Sequence, residues 1–406
     1  MKRDPDDGRA SERSRRGTIR RGGDDVERVP VESAPRNERT SAEAIAGAIE
    51  RWFPIAARPL PWRRRRTPYR VLVSETMLQQ TQVARVAERF PRFMRRFPSA
   101  RTLAASPLDD VLQEWEGLGY YRRARLLHEA ARRIVERHGG RVPAEEADLR
   151  DLPGVGAYTA GAVASIAHGR PAAIVDGNVL RVLVRVAGRE VAADDPETIR
   201  WCWSRSREIV EAARSPATLN EGLMELGATV CTPRGPACGD CPLADRCVAR
   251  AKGDPESIPL PKRRPRRIRL VHHVLLLPPR DSESGRLVAV RRRPETGLWA
   301  SMWEFPSIET PRRMRRRTIA DRLGVAESEV RRLDLLRHAT THRDLEFVVL
   351  RVPLPSPEAV RDLGELVYVP ETRLAELAMS VPQRRIADAM LASSEPAQPS
   401  SRRGGA

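Results

Sequence analysis

Apolar side chains recur at helical intervals through the first two-thirds of the chain and at strand intervals after it. Ile45, Ala48, Ile49, Trp52 and Phe53 fall on one helical face, and Thr40 with Glu43 has capping-box spacing just ahead of them. Leu72, Met77, Val83, Val86 and Phe90 give a second core-facing stripe, predicting a helix that carries Ser74 through Val83. Leu127, Ala130, Ala131, Ile134 and Val135 predict a third helix. Small residues from Thr159 to Ala167 predict another, and one more begins near Val179. Beyond residue 268, Val271–Leu277, Leu287–Val290 and Leu345–Arg351 read as strands, and Thr318–Leu323 as a helix. The expected architecture is a mainly α region over 40–250, a proline-stiffened linker over 251–268 and an α+β region over 269–392. Residues 1–39 and 393–406 offer little to bury and are expected to be flexible tails.

Charge narrows the partners. The chain of 406 residues has a formal net charge of +18, which favours a polyanion such as DNA over acidic small molecules, although a solvated arginine surface would look the same. No apolar run approaches the ~18 residues of a membrane span, and the N-terminus lacks the apolar core of a secretory signal. Four of the five cysteines, Cys231, Cys238, Cys241 and Cys247, lie close together. Their spacing points to a metal centre in a reducing compartment, so a cytoplasmic protein is expected; zinc and a [4Fe–4S] cluster both accept four thiolates. Cys202 is left over, as a buried thiol.

Two carboxylates stand out. Leu152-Pro153-Gly154-Val155-Gly156 is a glycine turn opening a helix, a place where backbone N–H groups meet an anion such as a DNA phosphate. Asp176 follows in an apolar run before Gly177 and Asn178, where it either caps the next helix or serves chemistry. Glu75 follows Ser74, where a carboxylate could simply favour a helix dipole. Gln79, Gln80 and Gln82, at the edge of an apolar stripe, suit contact with bases. Glu116 to Arg125 is a glycine turn with Tyr120, Tyr121 and three arginines, suited to stacking and phosphate neutralisation or else to a buried aromatic turn.

Leu152–Ala160 (LPGVGAYTA) with Val175–Val179 (VDGNV) resembles the helix-hairpin-helix DNA glycosylases and, more narrowly, the MutY-type adenine glycosylases. The likeness runs from about residue 44 to 247 and more weakly to about 390. It implies a glycosylase domain of two helical lobes with a [4Fe–4S] loop at 231–247, then a Nudix-like lesion-recognition domain carried by Gly297-Leu298-Trp299 and Trp303-Glu304-Phe305-Pro306. It implies that Trp62, Arg63, Glu221 and Met224 surround an extruded adenine, and that Gln80 and Tyr120 enter the duplex. Leu152, Gly154, Val155 and Gly156 would grip the backbone. Thr341 and His342 would read 8-oxoguanine within His338–His342, where the family usually has Phe-Ser-His and this chain has Thr340-Thr341-His342.

Releasing a purine needs an acid for the base and a carboxylate facing the sugar cation. Glu75 and Asp176 are expected to fill these roles, with Tyr158 and Asn178 holding them in place. Bifunctional relatives such as endonuclease III have a lysine where Tyr158 stands; tyrosine has no amine, so base release without strong strand scission is expected. Arginines replace the acidic residues of a Nudix hydrolase over Arg312–Arg317, so no pyrophosphohydrolase activity is expected. The expected partner is duplex DNA with adenine opposite 8-oxoguanine or guanine, bound by a monomer associated with the nucleoid. A lyase acting on oxidised pyrimidines, a redox-sensing DNA-binding protein and a zinc-stabilised DNA-binding domain are the rival readings.

Overall fold

A computed structural model describes residues 41–261, 267–283 and 285–394. The expected Thr40 cap, the tail over 1–39, most of the 393–406 tail and the basic run 262–266 lie outside these residues. Twelve helices come first: α1 (Ala42–Ala56), α2 (Pro68–Leu78), α3 (Val83–Arg96), α4 (Ala100–Ala105), α5 (Leu108–Glu114), α6 (Arg122–His138), α7 (Glu146–Arg150), α8 (Ala157–Ala162), α9 (Gly177–Ala187), α10 (Pro196–Glu211), α11 (Pro216–Thr229) and α12 (Val248–Ala251). The strands follow: β1 (Ile268–Leu276), β2 (Arg280–Ser282), β3 (Gly285–Arg292), β4 (Trp303–Glu304), β5 (Ser307–Thr310), β6 (Arg331–Ala339), β7 (Arg343–Arg351) and β8 (Leu366–Pro370). Among them lie α13 (Arg316–Leu323), α14 (Pro357–Asp362) and α15 (Val381–Ser394).

Several boundaries differ from the apolar pattern for identifiable reasons. Ser41 caps α1 by accepting from the Ala44 N–H at 3.2 Å. The predicted second helix breaks into α2 and α3, because the chain turns at Gln79–Gln82 with Gln80 left-handed at φ 54°. Both halves keep the same apolar stripe, so periodicity alone cannot register the break. The linker is partly packed: Ile258 is buried, its carbonyl accepts from Arg185 Nε at 2.8 Å, and the Leu260 N–H donates to Val191 O at 2.9 Å. At the far end, α15 runs to Ser394 rather than stopping at 392.

The helices share one core, in which α11 packs against both α1 and α9. Past β1 there are two sheets. One has the order β5-β1-β7-β6, with β1 and β7 parallel; in the other, β3 pairs with β2, β4 and β8. Along β7, Leu345, Phe347 and Val349 enter one core while Val348 and Leu350 enter another. Burial on both faces explains why the strand reads as an almost continuous apolar run rather than an alternation. Met302 and Ala378 join the helical core, so helices and sheets meet through apolar contact.

Candidate active site

Asp176 caps a helix and also faces a cavity. It is the N-cap of α9, its Oδ1 accepting from the N–H groups of Asn178 at 2.9 Å and Val179 at 2.7 Å. Its Oδ2 accepts from Asn178 Nδ2 at 3.0 Å, and Arg181 Nη2 fixes that amide by donating to Asn178 Oδ1 at 2.9 Å. Gly227 lets α11 come this close: a Cβ there would lie 2.6 Å from Asn178 Cβ. Burial pushes the Asp176 carboxyl above its ordinary value, opposed by these hydrogen bonds. The same carboxylate lines a cavity of about 460 Å³, within the ~300–1,000 Å³ typical of ligand sites.

Glu75 faces that cavity from the interior of α2. The helix is capped by Thr67 with Pro68 in its first turn, so Glu75 lies too far along to serve the helix dipole. It is 4% exposed, and the Tyr158 hydroxyl donates to its Oε2 at 2.6 Å while sitting 3.0 Å from Met224 Sδ. Burial raises the Glu75 carboxyl to about 7, with the Tyr158 hydrogen bond opposing and the charges of Asp176 and Glu221 adding to the rise. Burial and the nearby Glu75 and Asp176 carboxylates hold the Tyr158 phenol well above its usual range. The Glu75 and Asp176 carboxyl groups therefore share one cavity, with a neutral tyrosine hydroxyl bonded to Glu75.

The opposite wall is a network that periodicity could not reveal. Arg63 Nε donates to Glu221 Oε1 at 3.2 Å, its Nη1 to Arg58 O at 3.1 Å and its Nη2 to Glu225 Oε2 at 3.0 Å. Arg66 pairs with Glu221 Oε2 at 2.8 Å. Glu225 also accepts three hydrogen bonds from Arg58, through its N–H at 3.0 Å, Nε at 2.7 Å and Nη2 at 2.9 Å. Burial pushes Glu225 upward, but the arginine bonds outweigh it and hold the carboxyl at about 2. Trp62 is buried edge-to-face on Phe90, with ring centroids 5.9 Å apart. Removing the Glu225 carboxylate would leave Arg58 uncompensated and Arg63 with Glu221 alone. Glu225→Ala is expected to destabilise the fold by about 3 kcal/mol, measured by denaturant unfolding; an unchanged midpoint would refute that role.

The remaining predicted residues divide by exposure. Gln80 and Tyr120 are exposed and left-handed, at φ 54° and 48°; Gln80 lines the cavity and Tyr120 sits at the tip of a glycine turn. Tyr121, next to it, is buried. Arg123 and Arg125, expected to neutralise phosphate, are committed elsewhere. Arg123 is buried and bonds the carbonyls of Thr76, Met77, Leu118 and Gly119, tying the Gln80 and Tyr120 turns together. Arg125 Nη1 donates to Glu295 O at 2.6 Å. In the 152–156 turn, the Leu152 and Val155 side chains are buried, leaving backbone for an anion. Gly154, at φ 76°, leaves room for Leu126, whose Cβ would lie 2.7 Å from an added Cβ; Gly156 faces open space. Thr341 and His342 are exposed in the β6–β7 turn, and Thr341 Oγ1 is hydrogen-bonded to the Tyr120 hydroxyl.

Cys231, Cys238, Cys241 and Cys247 line one pocket with Arg185, whose Nη1 lies 3.4 Å from Cys231 Sγ. Burial pushes Cys241 up to about 11, and the other three thiols add to the rise, so all four feel one another. Among the described residues, no three metal-ligating side chains converge on the position of a single ion. The four thiols share this pocket with an arginine, whose charge would offset negative charge there. Cys202 is buried away from this set, its thiol pushed up to about 12 by burial, and so chemically quiet.

Residues 73–208 match the HhH-GPD superfamily of base excision DNA repair proteins, and residues 280–389 match the NUDIX domain. The human protein named adenine DNA glycosylase is 36% identical over 369 aligned residues, covering 77% of this chain and 67% of its own. The rat protein of that name is 39% identical over 306, covering 63% and 59%. That of Mycolicibacterium smegmatis is 44% identical over 209, covering 50% and 69%.

Proposed function

We propose that this chain, which belongs to the MutY-type adenine DNA glycosylases, is a monofunctional enzyme that hydrolyses the N-glycosidic bond of adenine paired with 8-oxoguanine or guanine in duplex DNA. The observation that carries the reading is the Tyr158–Glu75 hydrogen bond in a cavity that also holds Asp176, with no lysine among its lining residues. Glu75, protonated near neutral pH, gives its proton to N7 of an adenine swung into the cavity. The C1′–N9 bond then breaks, its electron pair leaving with the base. Asp176, fixed by Asn178 and two backbone N–H groups, faces the resulting sugar cation. Water adds at C1′ and returns its proton to Glu75. Glu221, Arg63, Trp62 and Met224 hold the base, while Gln80 and Tyr120 fill the gap it leaves.

Cys231, Cys238, Cys241 and Cys247 would hold a [4Fe–4S] cluster, whose four thiolate bonds would brace their loop. Thr341 and His342 offer a hydroxyl and an imidazole to the 8-oxoguanine edge, without the aromatic ring that the family usually places at 340. No helix among the described residues is long and apolar enough to cross a membrane; a DNA substrate supports a nucleoid-associated enzyme in the cytoplasm. In the NUDIX region α13 carries Arg316, Arg317 and Arg322, which supports a surface for lesion or backbone rather than for metal pyrophosphate.

The test is single-turnover base release across duplexes bearing adenine opposite 8-oxoguanine, guanine or thymine, and bearing an oxidised pyrimidine. Release from the first two is expected, and pyrimidine release instead would select the rival lyase. A second expectation concerns position 158. Tyr158→Lys places an amine beside the sugar and should add strand nicking to base release on denaturing gels; no gain would contradict the placement of Tyr158.

A further inference from the structure

We propose that Arg384 in α15 is a positioning residue for the turn that carries Tyr120, an inference that rests on the adenine-releasing reading above. The turn from Glu116 to Tyr121 is left-handed at Gly117 (φ 88°), Gly119 (φ 71°) and Tyr120 (φ 48°). Tyrosine rarely adopts that conformation unless its surroundings impose it. Here both ends of the turn are fixed to the C-terminal region. Glu116, at the entry, accepts from Arg384 Nε at 2.9 Å and Nη2 at 3.4 Å. Tyr121, at the exit, is buried and donates its hydroxyl to Met379 O at 3.4 Å. Arg384 is itself held, donating through Nη1 to Leu374 O at 2.7 Å and through Nη2 to Leu377 O.

The pair is shielded, with side-chain exposures of 15% for Arg384 and 20% for Glu116, so it is stiffer than a surface ion pair. Between its two anchors only Tyr120 projects, 44% exposed, its hydroxyl on Thr341. Arg384 touches neither the cavity residues nor the reacting bond. It presents the wedge: the C-terminal region holds Tyr120 upright before DNA arrives, and extrusion of the base, not bond cleavage, depends on it.

The test uses the full chain. Arg384→Met should slow single-turnover adenine release about tenfold from a duplex with adenine opposite 8-oxoguanine, where a pair must be opened. With adenine opposite an abasic-site analogue, no pair resists extrusion and the change should stay under about twofold. In a Tyr120→Ala background Arg384→Met should likewise add less than about twofold. Arg384→Lys, which keeps a cationic donor for Glu116, should retain most of the rate that Arg384→Met loses. Equal slowing on both substrates, or a full tenfold loss without Tyr120, would assign Arg384 to the scaffold and overturn the proposal. A duplex with 2-aminopurine in place of the target adenine reads extrusion by fluorescence without any bond breaking. Binding by the wild-type chain should brighten it and Arg384→Met should blunt the rise; an equal rise overturns the proposal, whether or not the wild type releases adenine.

Discussion

Asp176→Asn should slow single-turnover adenine release about a thousandfold, or roughly 4 kcal/mol of barrier, while leaving DNA binding near its original strength. The substitution is informative because Asp176 has two duties that asparagine separates. Asn is as good an N-cap as Asp, so α9 should still start at Gly177 and stability should change by less than about 1 kcal/mol. What disappears is the charge facing the sugar cation. A variant that unfolds would show the cap dominating; one that folds, binds and fails to release adenine isolates the electrostatic role.

Glu75→Gln is expected to cost between about a hundredfold and a thousandfold, since it removes the proton donor and leaves the cavity's shape intact. It should also change stability with a definite sign. Burial raises Glu75 to about 7 from an ordinary 4.5, so between those values the folded chain binds more protons than the unfolded one. Stability contributed by this group is present below pH 4.5 and is lost as pH rises towards 7, by up to about 3 kcal/mol. Glutamine carries no such penalty. The variant should match the wild type at pH 5 and melt higher than it at pH 8, an exchange of stability for activity within one side chain.

How much of this was legible follows from which interactions are local. Asp176 could be found because a single acid in an apolar run is costly, and the four cysteines because their spacing is short and dense. Strands β1, β3 and β7 could be found from their apolar runs. Glu75 in isolation looked like a helix-dipole residue; only the resemblance marked it, and only the fold shows that Thr67 caps the helix instead. The Arg58–Glu225 pair spans 167 residues and the Arg384–Glu116 pair 268, and no periodicity links such partners. Arg123 illustrates the opposite error. In a basic turn it resembled a phosphate ligand, yet its donors are spent on the carbonyls that end α2 and shape the Tyr120 turn. The break between α2 and α3 escaped because both helices bury the same stripe, and only the left-handed Gln80 records it.

The central claim is that one buried acid and one fixed carboxylate act together on a single adenine nucleotide. The rate of single-turnover release by the wild-type chain, measured from pH 5 to 9 with DNA saturating, reads the acid directly. The rate should fall about tenfold per pH unit above about 7 as Glu75 loses its proton. A flat profile across neutrality, or one that rises through pH 8, would contradict it.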